Sequence, residues 1–109
     1  MFKLIRDNIP KLVTENGGHL NYATAQDEEF FKTLLRAKLV EEVNEYLASG
    51  DSLEELADIK LVIEYLIEDS RLQEFQKIYD KKLVERGGFE NKYIGFFPDT
   101  KPDPNAQSI

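Results

Sequence analysis

Glu41-Glu42-Val43-Asn44-Glu45 and Glu55-Leu56-Ala57-Asp58 stand on either side of a short breaker, Ser49-Gly50-Asp51-Ser52, and this stretch decides the fold. Glu42 with Glu45, and Glu55 with Asp58, are i, i+3 pairs, so each pair occupies one turn of one helix face. The breaker folds the two helical segments into an antiparallel hairpin. Positions equidistant from Gly50 then lie opposite each other, so that Glu45 faces Glu55 and Glu42 faces Asp58. Four carboxylates meeting across a helix interface repel one another unless a cation sits between them. A ligand set made only of oxygens suits Mg²⁺, with Mn²⁺ as a substitute, better than Zn²⁺.

A glutamate-rich helix is ordinarily a solvated face, so the direction of these acids has to be settled first. At about 100° per residue, Asp58, Ile59, Val62 and Leu66 all fall within about 60° of Glu55. The acids of the third helix therefore share its apolar stripe, whereas Glu54, Glu64 and Glu68 lie at least about 100° away, on the outward side. On the second helix Phe31, Leu35, Leu39 and Tyr46 fall within about 60° of Glu42. Glu45 lies on the margin of that stripe beside Leu34, and Glu41 a little further round. Lys38 is the basic residue best placed to neutralise the group from within. Glu55 has a competing role as the partner of Ser52 in a capping box.

Working outward, the sequence predicts a first helix over Asp7–Asn16, capped by Asp7 or Asn8, tolerant of Pro10 and ended by Gly17-Gly18. The segment from His19 to Ala25 alternates weakly and reads as a short strand, with His19 exposed. Asp27, Glu28 and Glu29 open the second helix, where the helix dipole favours acids, and that helix runs to about Ala48. Ser52 caps a third helix reaching Asp69 or Ser70. A fourth, Arg71–Arg86, stops at Gly87-Gly88. Residues 92–97 read as a second short strand able to pair with residues 20–25. The expected fold class is thus mainly all-α, a bundle of about four helices with two short strands. The domain covers residues 1–97, followed by a mobile tail over 98–109.

Composition removes several function classes. The 109 residues contain no Cys, which excludes thiolate nucleophiles and Cys-based zinc sites, and a single His argues against a His-rich metal site or a Ser/His/Asp triad. The net charge of −7 argues against a nucleic-acid or anionic-membrane surface. No signal peptide or span-length apolar run is visible, so a soluble cytoplasmic protein is expected. A chain this short has a modest core, and a helical hairpin of this size completes it by pairing with copies of itself, as a homodimer or homotetramer.

The residues also carry a resemblance. Glu41-Glu42-Val43-Asn44-Glu45 followed by Glu55-Leu56-Ala57-Asp58 resembles the EExxE…ExxD signature of the all-α nucleoside triphosphate pyrophosphohydrolases, the MazG-like superfamily. Lys3-Leu4-Ile5-Arg6-Asp7-Asn8-Ile9-Pro10 resembles the KLVRDKIP opening of one subgroup, and Glu85-Arg86-Gly87-Gly88-Phe89 its ERGGF close. The likeness covers roughly residues 2–94. It departs in two places: the segment between Glu45 and Glu55 is shorter than in many members, and Asn8 stands where the opening block has Lys.

The resemblance implies Mg²⁺-dependent hydrolysis of a nucleoside triphosphate to monophosphate and pyrophosphate, in the removal of non-standard or surplus nucleotides. Glu42, Glu45, Glu55 and Asp58 carry over as metal ligands. Glu41 is either a ligand to a second metal or the group that positions the attacking water. Lys3, Arg6, Lys81, Lys82 and Arg86 are the cations available for phosphate oxygens. Arg6 has an alternative as a local ion pair with Asp7, and Arg86 as a helix-end charge favoured by the dipole. Tyr22, Phe89 and Tyr93 either stack on a base or pack in the core. Two other readings stay open: a phosphoribosyl-ATP pyrophosphohydrolase-type metabolic enzyme, and a non-catalytic helical module stabilised by metal.

Overall fold

The computed structural model describes residues 1–98. Four α-helices follow in order among them: α1 (Ile9–Glu15), α2 (Glu28–Ser49), α3 (Leu53–Ile67) and α4 (Leu72–Arg86), with one 3₁₀ turn, Asp69–Arg71, ahead of α4. The chain divides into two compact units, Met1–Asp69 and the segment from Ser70 onward. No helix of the described residues is long and apolar enough to cross a membrane.

The hairpin of α2 and α3 organises the first unit, and its ends are set by local chemistry. Asp27 caps α2 by accepting a hydrogen bond from the Glu29 backbone N–H at 3.0 Å, and Glu28 and Glu29 sit in the first turn. Ser52 caps α3, its hydroxyl oxygen accepting from the Glu55 N–H at 3.4 Å. The Ser52 N–H itself donates to the Ser49 hydroxyl at 3.2 Å. The return half of a capping box is therefore supplied by Ser49, and the Glu55 carboxylate is left for the helix interface. Tyr46 on α2 adds a tie across the turn, its hydroxyl donating to Asp51 at 2.8 Å.

Gly50 is what allows the reversal to be so short. Its φ of +92° with ψ of −66° lies in a region that side chains with a Cβ strongly disfavour. The core beneath the turn is small: Leu35 and Val62 are the buried apolar residues among those described, with Glu42 buried beside them.

Three expectations require correction. No strand occurs among the described residues; residues 18–26 and 92–98 are irregular. A two-stranded pair is marginal in water without a third strand or a covering helix. Tyr93, Ile94, Phe96 and Phe97 are all largely exposed, and Lys92 adopts a φ of +57° in a turn closed by its N–H to the Phe89 carbonyl. That turn breaks the extended run where it would begin. Secondly, α3 stops at Ile67, short of Asp69, because Glu68 takes a φ of +63° and leaves helical geometry. Core packing for Tyr22, Phe89 and Tyr93 is also overturned, since each is exposed on irregular backbone. His19 is exposed as expected, its ring nitrogen bonded to Asn21 at 2.9 Å. Beyond Pro98, the expected tail lies outside the described residues.

An added Cβ at Gly50 meets nothing within 4 Å, so any cost of Gly50→Ala comes from the backbone alone. We expect Gly50→Ala to lower stability by about 1–2 kcal/mol in urea unfolding. An unchanged midpoint would show that the turn does not need this conformation.

Candidate functional site

The acids of α2 and α3 meet on the inner side of the hairpin. Carboxylate oxygens of Glu42, Glu55 and Asp58 lie within 4.8 Å of one another, and so do those of Glu41, Glu42 and Glu45. Glu42 belongs to both groups and joins them. Its burial is nearly complete at 5% exposure, while Glu41, Glu55 and Asp58 are half-buried and Glu45 is exposed. This is the order that helical periodicity dictates, with Glu42 on the apolar stripe and Glu45 at its margin. Glu54 and Glu64 are exposed, as their place on the wheel requires, and Glu68, also exposed, lies past the helix end and pairs with Lys32 at 3.3 Å.

Three cations approach this cluster. Lys38 reaches both Glu41 and Glu42 at 3.4 Å, along α2 itself. Lys3 contacts Glu41 at 2.7 Å, and the guanidinium of Arg6 pairs with Asp58 rather than with its neighbour Asp7. The Lys3 ammonium holds the Glu41 carboxyl below the usual range, chiefly through their hydrogen bond. Reciprocally, Glu41 raises the Lys3 pKa. Glu55 behaves in the opposite way. Desolvation first, then hydrogen bonding and repulsion from Glu42 and Glu45, push its carboxyl up to about 7.

With all five carboxylates ionised, the three cations found among the described residues leave an excess of two negative charges, which one divalent ion would balance. The shortfall is visible atom by atom. Glu42 Oε2 and Glu55 Oε2 are buried and have no hydrogen-bond partner. An unsatisfied buried acceptor such as that of Glu42 costs about 1–3 kcal/mol, more when it is charged. The donor set is all carboxylate oxygen, drawn from two rigid helices, and it fits a hard cation. Glu42, Glu55 and Asp58 are the residues best arranged to hold one, with Glu45 at the rim.

Among the other expected site residues, Lys82 and Arg86 lie i, i+4 on α4, in the second compact unit. Lys81 on the same helix pairs loosely with Glu85 at 3.9 Å. Arg86 closes α4 just ahead of Gly87, whose φ of +78° and N–H bond to the Leu83 carbonyl end the helix. That ending is a helix stop.

Comparison with known proteins adds no relative. No family model matches the chain, and no curated protein or solved structure matches it.

The direction of the Glu55 shift fixes a pH dependence. A carboxyl whose folded pKa is raised from 4.5 to about 7 stabilises the fold below the lower value. That contribution is lost as pH rises through the upper one. The metal-free protein is therefore expected to melt at lower temperature at pH 8 than at pH 5.5, by an amount that Glu55→Gln reduces. Thermal melts in a chelator measure this, and an identical profile for Glu55→Gln would remove Glu55 as the source.

Proposed function

We propose that the chain is a Mg²⁺-dependent nucleoside triphosphate pyrophosphohydrolase, cleaving (d)NTP to (d)NMP and pyrophosphate and clearing non-standard nucleotides. One observation carries the reading: two buried carboxylate oxygens without partners, Glu42 Oε2 and Glu55 Oε2, in a cluster whose acids outnumber its cations. The three sequence blocks that resemble MazG-like enzymes, in their order along the chain, support the nucleotide as substrate.

In this reading Glu42, Glu45, Glu55 and Asp58 hold the metal, which supplies positive charge for the phosphate oxygens of the triphosphate. The reaction forms a bond from a water oxygen to the α-phosphorus and breaks the bond from that phosphorus to the bridging oxygen of pyrophosphate. The chain's part is to position and to neutralise. Glu41 stays ionised because Lys3 lies against it, so it can accept a hydrogen bond from the attacking water and orient it. Lys3 and Arg6 already stand at the acid cluster, within reach of oxygens brought there by a triphosphate. The resemblance offers Lys82 and Arg86 on α4 as further phosphate-binding cations.

Association of the chain into a homodimer or homotetramer belongs to the same reading. The hairpin leaves Val40, Val43 and Leu47 on α2 and Leu53, Leu56 and Ile63 on α3 exposed, and buries only Leu35 and Val62 as apolar side chains. A core that small gains most by covering those two stripes with another copy.

Two measurements test the proposal. Pyrophosphate release from a panel of NTPs and dNTPs with Mg²⁺ is expected for the native chain. It should fall by about 100-fold or more in Glu42→Gln and Asp58→Asn. No release from any nucleotide would overturn the enzyme, and release surviving both substitutions would overturn the site. Independently, Mg²⁺ at about 100 times its dissociation constant should stabilise the native fold by about 2.7 kcal/mol and Glu42→Gln far less.

A further inference from the structure

The acid cluster opens onto a cavity of about 500 Å³, within the size range of small-ligand sites. It lies within the first compact unit, between the N-terminal segment with α1 and the inner faces of α2 and α3. Glu42 and Asp58 belong both to its lining and to the cluster. The rest of the wall is mostly apolar, with Leu12, Phe31, Leu61 and Tyr65 among its residues. The lining thus combines charged side chains, Arg6, Lys38, Glu42 and Asp58, with a larger apolar share. A ligand whose phosphates meet Glu42 and Asp58 through a cation has apolar wall available for its remaining bulk.

Asn8 stands on this lining and is chemically distinct there. It occupies the residue position ahead of α1 where Asn most often caps a helix, yet its side chain makes no capping bond. The carboxamide is therefore uncommitted to the backbone it adjoins. It carries a donor and an acceptor on adjacent atoms, whereas the neighbouring Asp7 carboxylate only accepts. Among the lining side chains of the described residues, Asn8 alone presents that side-by-side pair. Base edges present complementary adjacent pairs, and a bidentate match discriminates one base from another.

We propose that this cavity holds the nucleoside part of the substrate and that Asn8 is a specificity-determining residue that reads the edge of its base. The proposal rests on the nucleotide reading above and deepens it. Leu12, Phe31 and Tyr65 supply apolar and aromatic surface for the sugar and base, and Glu42 and Asp58 fix the phosphate end.

Steady-state kinetics on the four dNTPs and four NTPs test this, with tripolyphosphate as an inhibitor that has phosphates but no nucleoside. Leu12→Trp narrows the cavity from a half-exposed position, 47% accessible, that tolerates the larger ring. It is expected to raise KM for every nucleotide about 10-fold while inhibition by tripolyphosphate stays as in the native chain. Asn8→Ala is expected to compress the spread of kcat/KM among bases by about 10-fold. If Leu12→Trp melts early, Tyr65→Ala replaces it, with the same rise in KM expected.

Unchanged KM in the cavity variants, equal weakening of tripolyphosphate, or an undiminished spread of kcat/KM among bases in Asn8→Ala would each overturn the proposal while leaving the pyrophosphohydrolase standing. A native chain that hydrolyses none of the eight nucleotides would remove both, so the two failures are told apart by the native panel.

Discussion

Glu42 places a charge at the interface of α2 and α3, and the surrounding structure is arranged about that charge. Its exposure is 5%, and one of its two oxygens has Lys38 at 3.4 Å while the other has nothing. A lone buried carboxylate would protonate or part the helices. Here it is joined by Glu55 and Asp58 from the opposite helix, which enlarges the demand for positive charge. Lys3, Arg6 and Lys38 meet part of that demand, and the protonation of Glu55 near pH 7 relieves another part. What is left is a site whose electrostatics are incomplete in the bare chain.

That incompleteness is set by backbone features that carry no charge. Gly50 permits the tight reversal that brings Glu45 and Glu42 opposite Glu55 and Asp58. Ser49 satisfies the Ser52 N–H, which spares the Glu55 side chain from a capping duty and leaves it among the acids. The turn chemistry and the site chemistry are thus linked through a serine three residues before the cap.

Much of this was legible in the sequence because helix periodicity is a local code. The wheel placed Glu42, Glu55 and Asp58 on apolar stripes and Glu54, Glu64 and Glu68 outside, and their burial follows that order. Lys38 was legible for the same reason, being i, i+4 to Glu42. The Arg6 pairing with Asp58 spans 52 residues and the Lys3 pairing with Glu41 spans 38, and no local pattern encodes contacts at that range. The cavity was invisible for a related reason, since its walls come from three separate parts of the chain. The departure of Asn8 from the resembling block was legible, but its place on the cavity lining was not. The two expected strands failed because alternation describes one strand and is silent about a partner. The end of α3 was misplaced because Glu68 adopts a conformation its residue type rarely takes.

The ion pairs of Lys3 and Arg6 have a practical side. Residues 1–8 lie outside any helix, and they carry two of the three cations that reach the acids. This short segment is therefore part of the electrostatic circuit of the site. Mass or charge introduced beside Lys3 or Arg6 acts directly on the acids of α2 and α3.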